Sequence, residues 1–170
     1  MYISHTFYRL LIVISFLFIS VSLLAEPTLE EVVVSARKVD ESVQDVPIAM
    51  SVFTASDIDD AGIERPEDFI ALTPNVVMAN TVNVGDTLVT IRGLTSTRDA
   101  ESNFAFVVDG VLQTNPNAFN RELLDIAQIE VLKGPQGALY GRNATSGAIL
   151  ITTKAPSEES ESTAAVGMGI

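Results

Sequence analysis

Two short segments of the chain, Phe104-Ala105-Phe106-Val107-Val108 and Ala148-Ile149-Leu150-Ile151, are apolar at every position instead of at alternate ones. A strand of that kind has no face to offer to water, so both are expected inside a sheet that is covered on either side. Layers above and below are then required, and the rest of the chain supplies candidates. Further strands are predicted over 48–53, 88–92 and 129–132, and the second apolar segment extends to 153. Thr54 is suited to cap a short helix with Asp57 in its first turn and Gly62 as its C-terminal stop. Pro66 suits the first turn of a second helix that runs to about Leu72 and is ended by Pro74. Asn120 is expected to cap a third, containing Leu123 and Leu124. Polar loops lie at 80–86, 95–103 and 113–117. The expectation is an α+β domain from about 45 to 155, a small mixed sheet of four to five strands with short helices.

The first 25 residues stand apart. Arg9 precedes an apolar run over 10–24, and Ala25 gives way to charged sequence beginning at Glu26. That order is the order of a secretory signal peptide, with cleavage after Ser22 or Ala25. A membrane anchor is the alternative, but the run falls short of the roughly 20 apolar residues that cross a bilayer. All 22 acidic residues lie beyond this leader and Arg9 is the one base within it, so the exported remainder is more acidic than the whole chain at −12. An acidic surface without clustered cations argues against nucleic acid or anionic lipid as a partner. There is no cysteine, and the single histidine, His5, lies in the leader. The remainder therefore has no disulfide, no Cys or His for a metal site and no nucleophile–base pair, and no enzyme activity, cofactor or metal is expected.

Residues 26–44 are rich in charge and poor in large apolar side chains, which predicts a flexible tether. Inside it, Glu30-Glu31-Val32-Val33-Val34-Ser35-Ala36 carries a β-branched island. Such a run suits addition as an extra strand to another protein's sheet edge, where backbone hydrogen bonds supply affinity with little demand on side chains. It equally suits an ordinary N-terminal strand of this domain. The stretch 129–149 is broken at short intervals by Gly134, Gly137, Gly141 and Gly147, which predicts tight turns and close backbone approaches between flanking strands. It is not a phosphate loop, because Arg142 and Asn143 follow Gly141 where Lys and then Ser or Thr are needed.

Taken in order, these residues resemble the N-terminal part of a TonB-dependent outer-membrane receptor. The run 30–36 looks like a TonB box. Val46-Pro47 leading into Ser51-Val52, then Leu72-Thr73-Pro74-Asn75-Val76, Ile91-Arg92-Gly93, Val108-Asp109-Gly110-Val111 and the stretch 129–154 are similar to successive landmarks of the plug domain. The resemblance covers residues 30–154. It implies a plug seated in an outer-membrane barrel of about 22 strands, a size whose lumen needs one. The implied partners are TonB with its inner-membrane energising complex, that barrel, and an iron–siderophore complex or similar scarce nutrient as cargo.

The resemblance also implies roles for individual residues. Glu30, Glu31, Val32, Val33, Val34, Ser35 and Ala36 would bind TonB. Arg92 and Arg142 would face acidic groups on the barrel wall, or else be solvated or paired within the plug. Asn83, Asp86, Arg98, Asn103, Asn115 and Asn117, in the polar loops, would face the substrate or simply be solvated. Residues 156–170 read as an acidic linker and the start of a first barrel strand, and the strands expected after it are not in this sequence. Two functions from different classes follow. The chain is the plug portion of a receptor, not competent for transport alone, or it is a free-standing periplasmic module that binds TonB or a ligand.

Overall fold

The computed structural model describes residues 31–35, 39, 41–80, 87–96, 102–115 and 118–156. In chain order its elements are β1 (Val33–Val34), β2 (Glu41–Ser42), β3 (Met50–Thr54), α1 (Ala55–Ala61), α2 (Pro66–Ala71), β4 (Val76–Asn80), β5 (Thr87–Ile91), β6 (Leu94–Thr95), β7 (Phe104–Val108), β8 (Val111–Leu112), β9 (Ile126–Lys133), α3 (Gly137–Tyr140) and β10 (Gly147–Thr153). A five-stranded mixed sheet runs β3-β9-β10-β7-β8, a three-stranded antiparallel sheet runs β4-β5-β6, and β1 pairs with β2 alone. The two wholly apolar segments are β7 and most of β10. They lie side by side and parallel, with Ala148 opposite Ala105 and Leu150 opposite Val107. Both are buried almost throughout, as two-sided cover requires.

One face of the main sheet carries Ile129, Val131, Ile149, Ile151, Phe104 and Phe106 into the larger core, where Ile58 of α1, Phe69 and Ile70 of α2, and Val76, Val89 and Ile91 of the small sheet meet them. Phe119 joins this core by edge-to-face contacts with Phe104, Phe106 and Phe69, at centroid distances of 5.3, 5.1 and 6.3 Å. The opposite face carries a smaller cluster of Ala105, Val107, Leu132, Ala148 and Leu150, with Ala144, Ile48, Met50 and Tyr140 packed on it.

The helix signals act as expected. Thr54 and Asp57 form a reciprocal capping box, and Gly62 takes the left-handed conformation that ends α1. Pro66 opens α2 and Leu72 caps it. The hairpins β5–β6 and β7–β8 turn on two residues each, Arg92-Gly93 and Asp109-Gly110, all four with positive φ, the type I′ pattern that matches strand twist.

Several expectations fail locally. The strand predicted at 88–92 belongs to a second sheet rather than the main one, and its partner β4 lies over residues for which no strand was predicted. The helix expected after Asn120 is absent. Residues 121–124 are irregular, with Leu124 exposed, because Phe119 anchors the segment in the core and Asp125 turns with φ 52 into β9. Inside the glycine-rich stretch, one helical turn, α3, appears where only turns were predicted.

Gly147 stands opposite Lys133 at the start of β10, and a Cβ there would collide with the Leu132 carbonyl oxygen. Gly147→Ala is therefore expected to destabilise the fold by about 1–3 kcal/mol, the usual result of overpacking. Gly137→Ala, whose Cβ would meet nothing within 4 Å, should leave the urea midpoint almost unmoved.

Candidate functional site

Apart from Lys133 at its end, the polar residues of β9 are Gln128 and Glu130, at alternate positions on the smaller-core face. Glu130 sits between Val52 of β3 and Leu150 of β10 and is 2% exposed. A carboxylate taken out of water is costly unless hydrogen bonds replace its hydration. Its Oε1 accepts from the Ser35 backbone N–H at 3.0 Å, the Gln128 Nε2 at 3.3 Å and the Ser35 hydroxyl at 3.4 Å. Gln128 Nε2 also donates to the Val33 carbonyl at 3.0 Å. Two polar side chains of the central sheet thus grip the backbone of the segment read as the TonB box. Val34 is 1% exposed, while Val33 points outward and is about half exposed.

The other side of the segment is held by β2. Val33 stands opposite Ser42 and Val34 opposite Glu41, and the Val43 N–H donates to the Val32 carbonyl at 3.0 Å. Of the two readings open for the run 30–36, the structure shows residues 33–34 paired within this chain. Glu31 to Ser35 are described, and Glu30 and Ala36 lie outside the described residues. Tyr140 of α3 packs on the same sheet face; burial first, and the Glu130 carboxylate second, push its phenol up to about 12. A cleft of about 540 Å³ opens beside it, bordered by Ser35, Val107, Leu112, Leu139, Tyr140 and Leu150.

Arg92 occupies the first turn position of the β5–β6 hairpin at φ 50. Arginine is unusual there, since left-handed backbone costs a residue with a Cβ roughly 1–2 kcal/mol, and Asn, Asp or Gly is the ordinary choice. Its N–H donates to the Asn75 carbonyl at 2.9 Å. A Cβ at Gly134 would lie 3.1 Å from the Arg92 Nη1, so the guanidinium rests against a backbone that only glycine leaves open. Lys133 lies nearby, its Nζ donating to the Ser51 hydroxyl at 3.0 Å, and burial together with Arg92 lowers its pKa. Arg142 follows α3 and is exposed.

Of the predicted substrate-facing residues, Asn83, Asp86, Arg98 and Asn117 lie outside the described residues. Asn103 is described, and its side-chain oxygen accepts from the Ser96 and Ser146 hydroxyls at 2.9 and 3.2 Å, while its carbonyl accepts from Thr145 and Ser146. It ties β10 to the end of β6. Asn115 borders a hollow of about 10 Å³, room for a water rather than a nutrient. Gln128, Glu130 and Lys133 were not singled out from sequence. The available signal was a carboxylate flanked by apolar residues in a strand, Ile129-Glu130-Val131. Among the described residues, no group of three or more His, Cys, Asp or Glu is placed to hold a metal.

Because the folded chain keeps the Tyr140 proton up to about pH 12 and the unfolded chain releases it near 10, stability should fall as pH rises through that interval and be indifferent to this group below it. Ultraviolet titration of the chain begun at Glu26, where Tyr140 is the one tyrosine, should show the raised midpoint. Glu130→Gln should lower it part of the way, since burial contributes more.

The family model described as TonB-dependent Receptor Plug Domain matches residues 42–148. The pesticin receptor of Yersinia enterocolitica is 31% identical over 132 residues, 77% of this chain and 19% of the receptor. The vitamin B12 transporter of Vibrio vulnificus is 29% identical over 148 residues, 84% of this chain and 23% of the transporter. Among solved structures, the ferric yersiniabactin uptake receptor of Yersinia pestis superposes with a TM-score of 0.59 at 31% identity, covering 64% of this chain and 17% of that one. The chain thus spans about a fifth of the length of the curated relatives it matches. With its mixed sheet, short helices and ordered turn landmarks, the chain belongs to the TonB-dependent receptor plug domain family.

Proposed function

We propose that this chain is the plug portion of an outer-membrane receptor for active uptake of an iron–siderophore complex or a similar scarce nutrient, and that TonB captures it at residues 30–36. Relatives named for ferric yersiniabactin uptake and for vitamin B12 transport support that class of cargo. The observation that carries the TonB assignment is how the segment is held. β1 has a two-residue ladder to β2 and side-chain contacts to β9, and no strand of the main sheet pairs with it. An element attached in this way opens at far less than the cost of unfolding the domain, which capture by a pulling partner requires. Its β-branched backbone is then free to add to a sheet edge of TonB.

Arg92 and Arg142 are assigned to carboxylates on the wall of a surrounding barrel. Both are exposed here, and the unfavourable backbone of Arg92 is the kind of local strain that clusters at functional positions. A planar guanidinium held over Gly134 is suited to bidentate pairing with a carboxylate. The proposed location is the outer membrane as part of a complete receptor, with the TonB segment on the periplasmic side.

Co-purification with the periplasmic domain of TonB should be lost, by at least about tenfold in affinity, in Val33→Pro, which removes a backbone donor from the strand. Unchanged binding would remove the segment from the account. In a barrel-bearing receptor, Arg92→Ala with Arg142→Ala should ease urea-driven release of the plug. The isolated chain should change by less than about 1 kcal/mol, since exposed charge pairs contribute little.

A further inference from the structure

In an antiparallel ladder, successive residues turn their backbone polar groups to opposite edges. The Val32 carbonyl accepts from Val43, so residues 32 and 34 face β2. Residues 33 and 35 therefore face the other edge, the one open to a further strand. That edge is covered. The Val33 carbonyl receives the Gln128 amide and the Ser35 N–H gives to the Glu130 carboxylate, at 3.0 Å each. One donor and one acceptor, two residues apart on β9, stand where the N–H and C=O of a neighbouring strand would stand.

From this geometry we infer that Gln128 and Glu130 act as a side-chain imitation of a strand, capping the second edge of β1 and keeping it closed to a partner strand until the cap is displaced. The inference rests on the reading of residues 30–36 as the TonB segment and adds to it how access is regulated. With β2 on one edge and the cap on the other, β1 offers no free edge for β-augmentation while it is docked. Capture then requires release from at least one edge, and the association rate scales with the fraction of chains in which that has happened. The Gln128 amide also donates to the Glu130 Oε1 at 3.3 Å, which holds the two capping groups in fixed relation. Val34, buried beside them, adds an apolar anchor that must leave with the strand.

The test uses the full chain and two readouts: hydrogen exchange at the Ser35 amide, and the association rate with the purified periplasmic domain of TonB. In the double variant Gln128→Ala, Glu130→Ala both should rise together, by about tenfold or more, given the strength of hydrogen bonds to a charged acceptor. Amides of β9 and β10 should keep their protection, which shows that the sheet is intact. If the double variant fails to fold, Gln128→Ala alone, at a half-buried side chain, should raise both readouts by a smaller common factor. Unchanged exchange at Ser35 in variants that keep the sheet overturns the cap. Faster exchange with an unchanged association rate overturns its role as a gate. If exchange rises but neither wild type nor variant binds TonB at all, the TonB reading of the segment falls while the cap stands on the exchange data.

Discussion

The fold depends on the close approach of β9 and β10. Ile129, Val131 and Leu132 of one strand face Ile151, Ile149 and Ala148 of the other, and all are buried. Backbone hydrogen bonds made in a dry interior have no water to compete with them, and leaving any unmade would be expensive. Gly147 sets the distance at the start of this ladder, where only a residue without a Cβ fits beneath the Leu132 carbonyl. From this pair the sheet grows outward, β3 on one flank and β7 with β8 on the other.

The two faces of that sheet are treated differently. One is sealed by α1, α2, the small sheet and Phe119, and it carries the aromatic core. The other, among the described residues, is covered by Ala144, Ile48, Met50 and Tyr140, and near Glu130 by residues 33–35. Stability is accordingly uneven. The sealed face requires global unfolding to open, whereas a short strand held at its edges by side chains and a two-residue ladder opens locally. Under the proposed function, that division lets one end be gripped and pulled while the core holds.

A buried carboxylate is where the two halves of this design meet. Glu130 lies in the strand that anchors the fold and accepts hydrogen bonds from the segment proposed to engage TonB. Charge-assisted bonds of this kind are stronger than neutral ones and keep their geometry in a low-dielectric setting.

Much of this was legible in the sequence. Unbroken apolar runs located β7 and β10, since a segment without a polar face has nowhere to lie but between two layers. Thr54, Asp57, Gly62 and Pro66 located both longer helices, because caps and turns are read from single side chains acting on their own backbone. What needed the tertiary structure was anything joining distant positions. The division of strands between two sheets, Phe119 displacing an expected helix, the grip of Gln128 and Glu130 on Val33 and Ser35, and the guanidinium of Arg92 over Gly134 join residues tens of positions apart. Periodicity and capping report what a segment prefers by itself. Which edge meets which side chain is settled only when the whole chain competes for the same buried space.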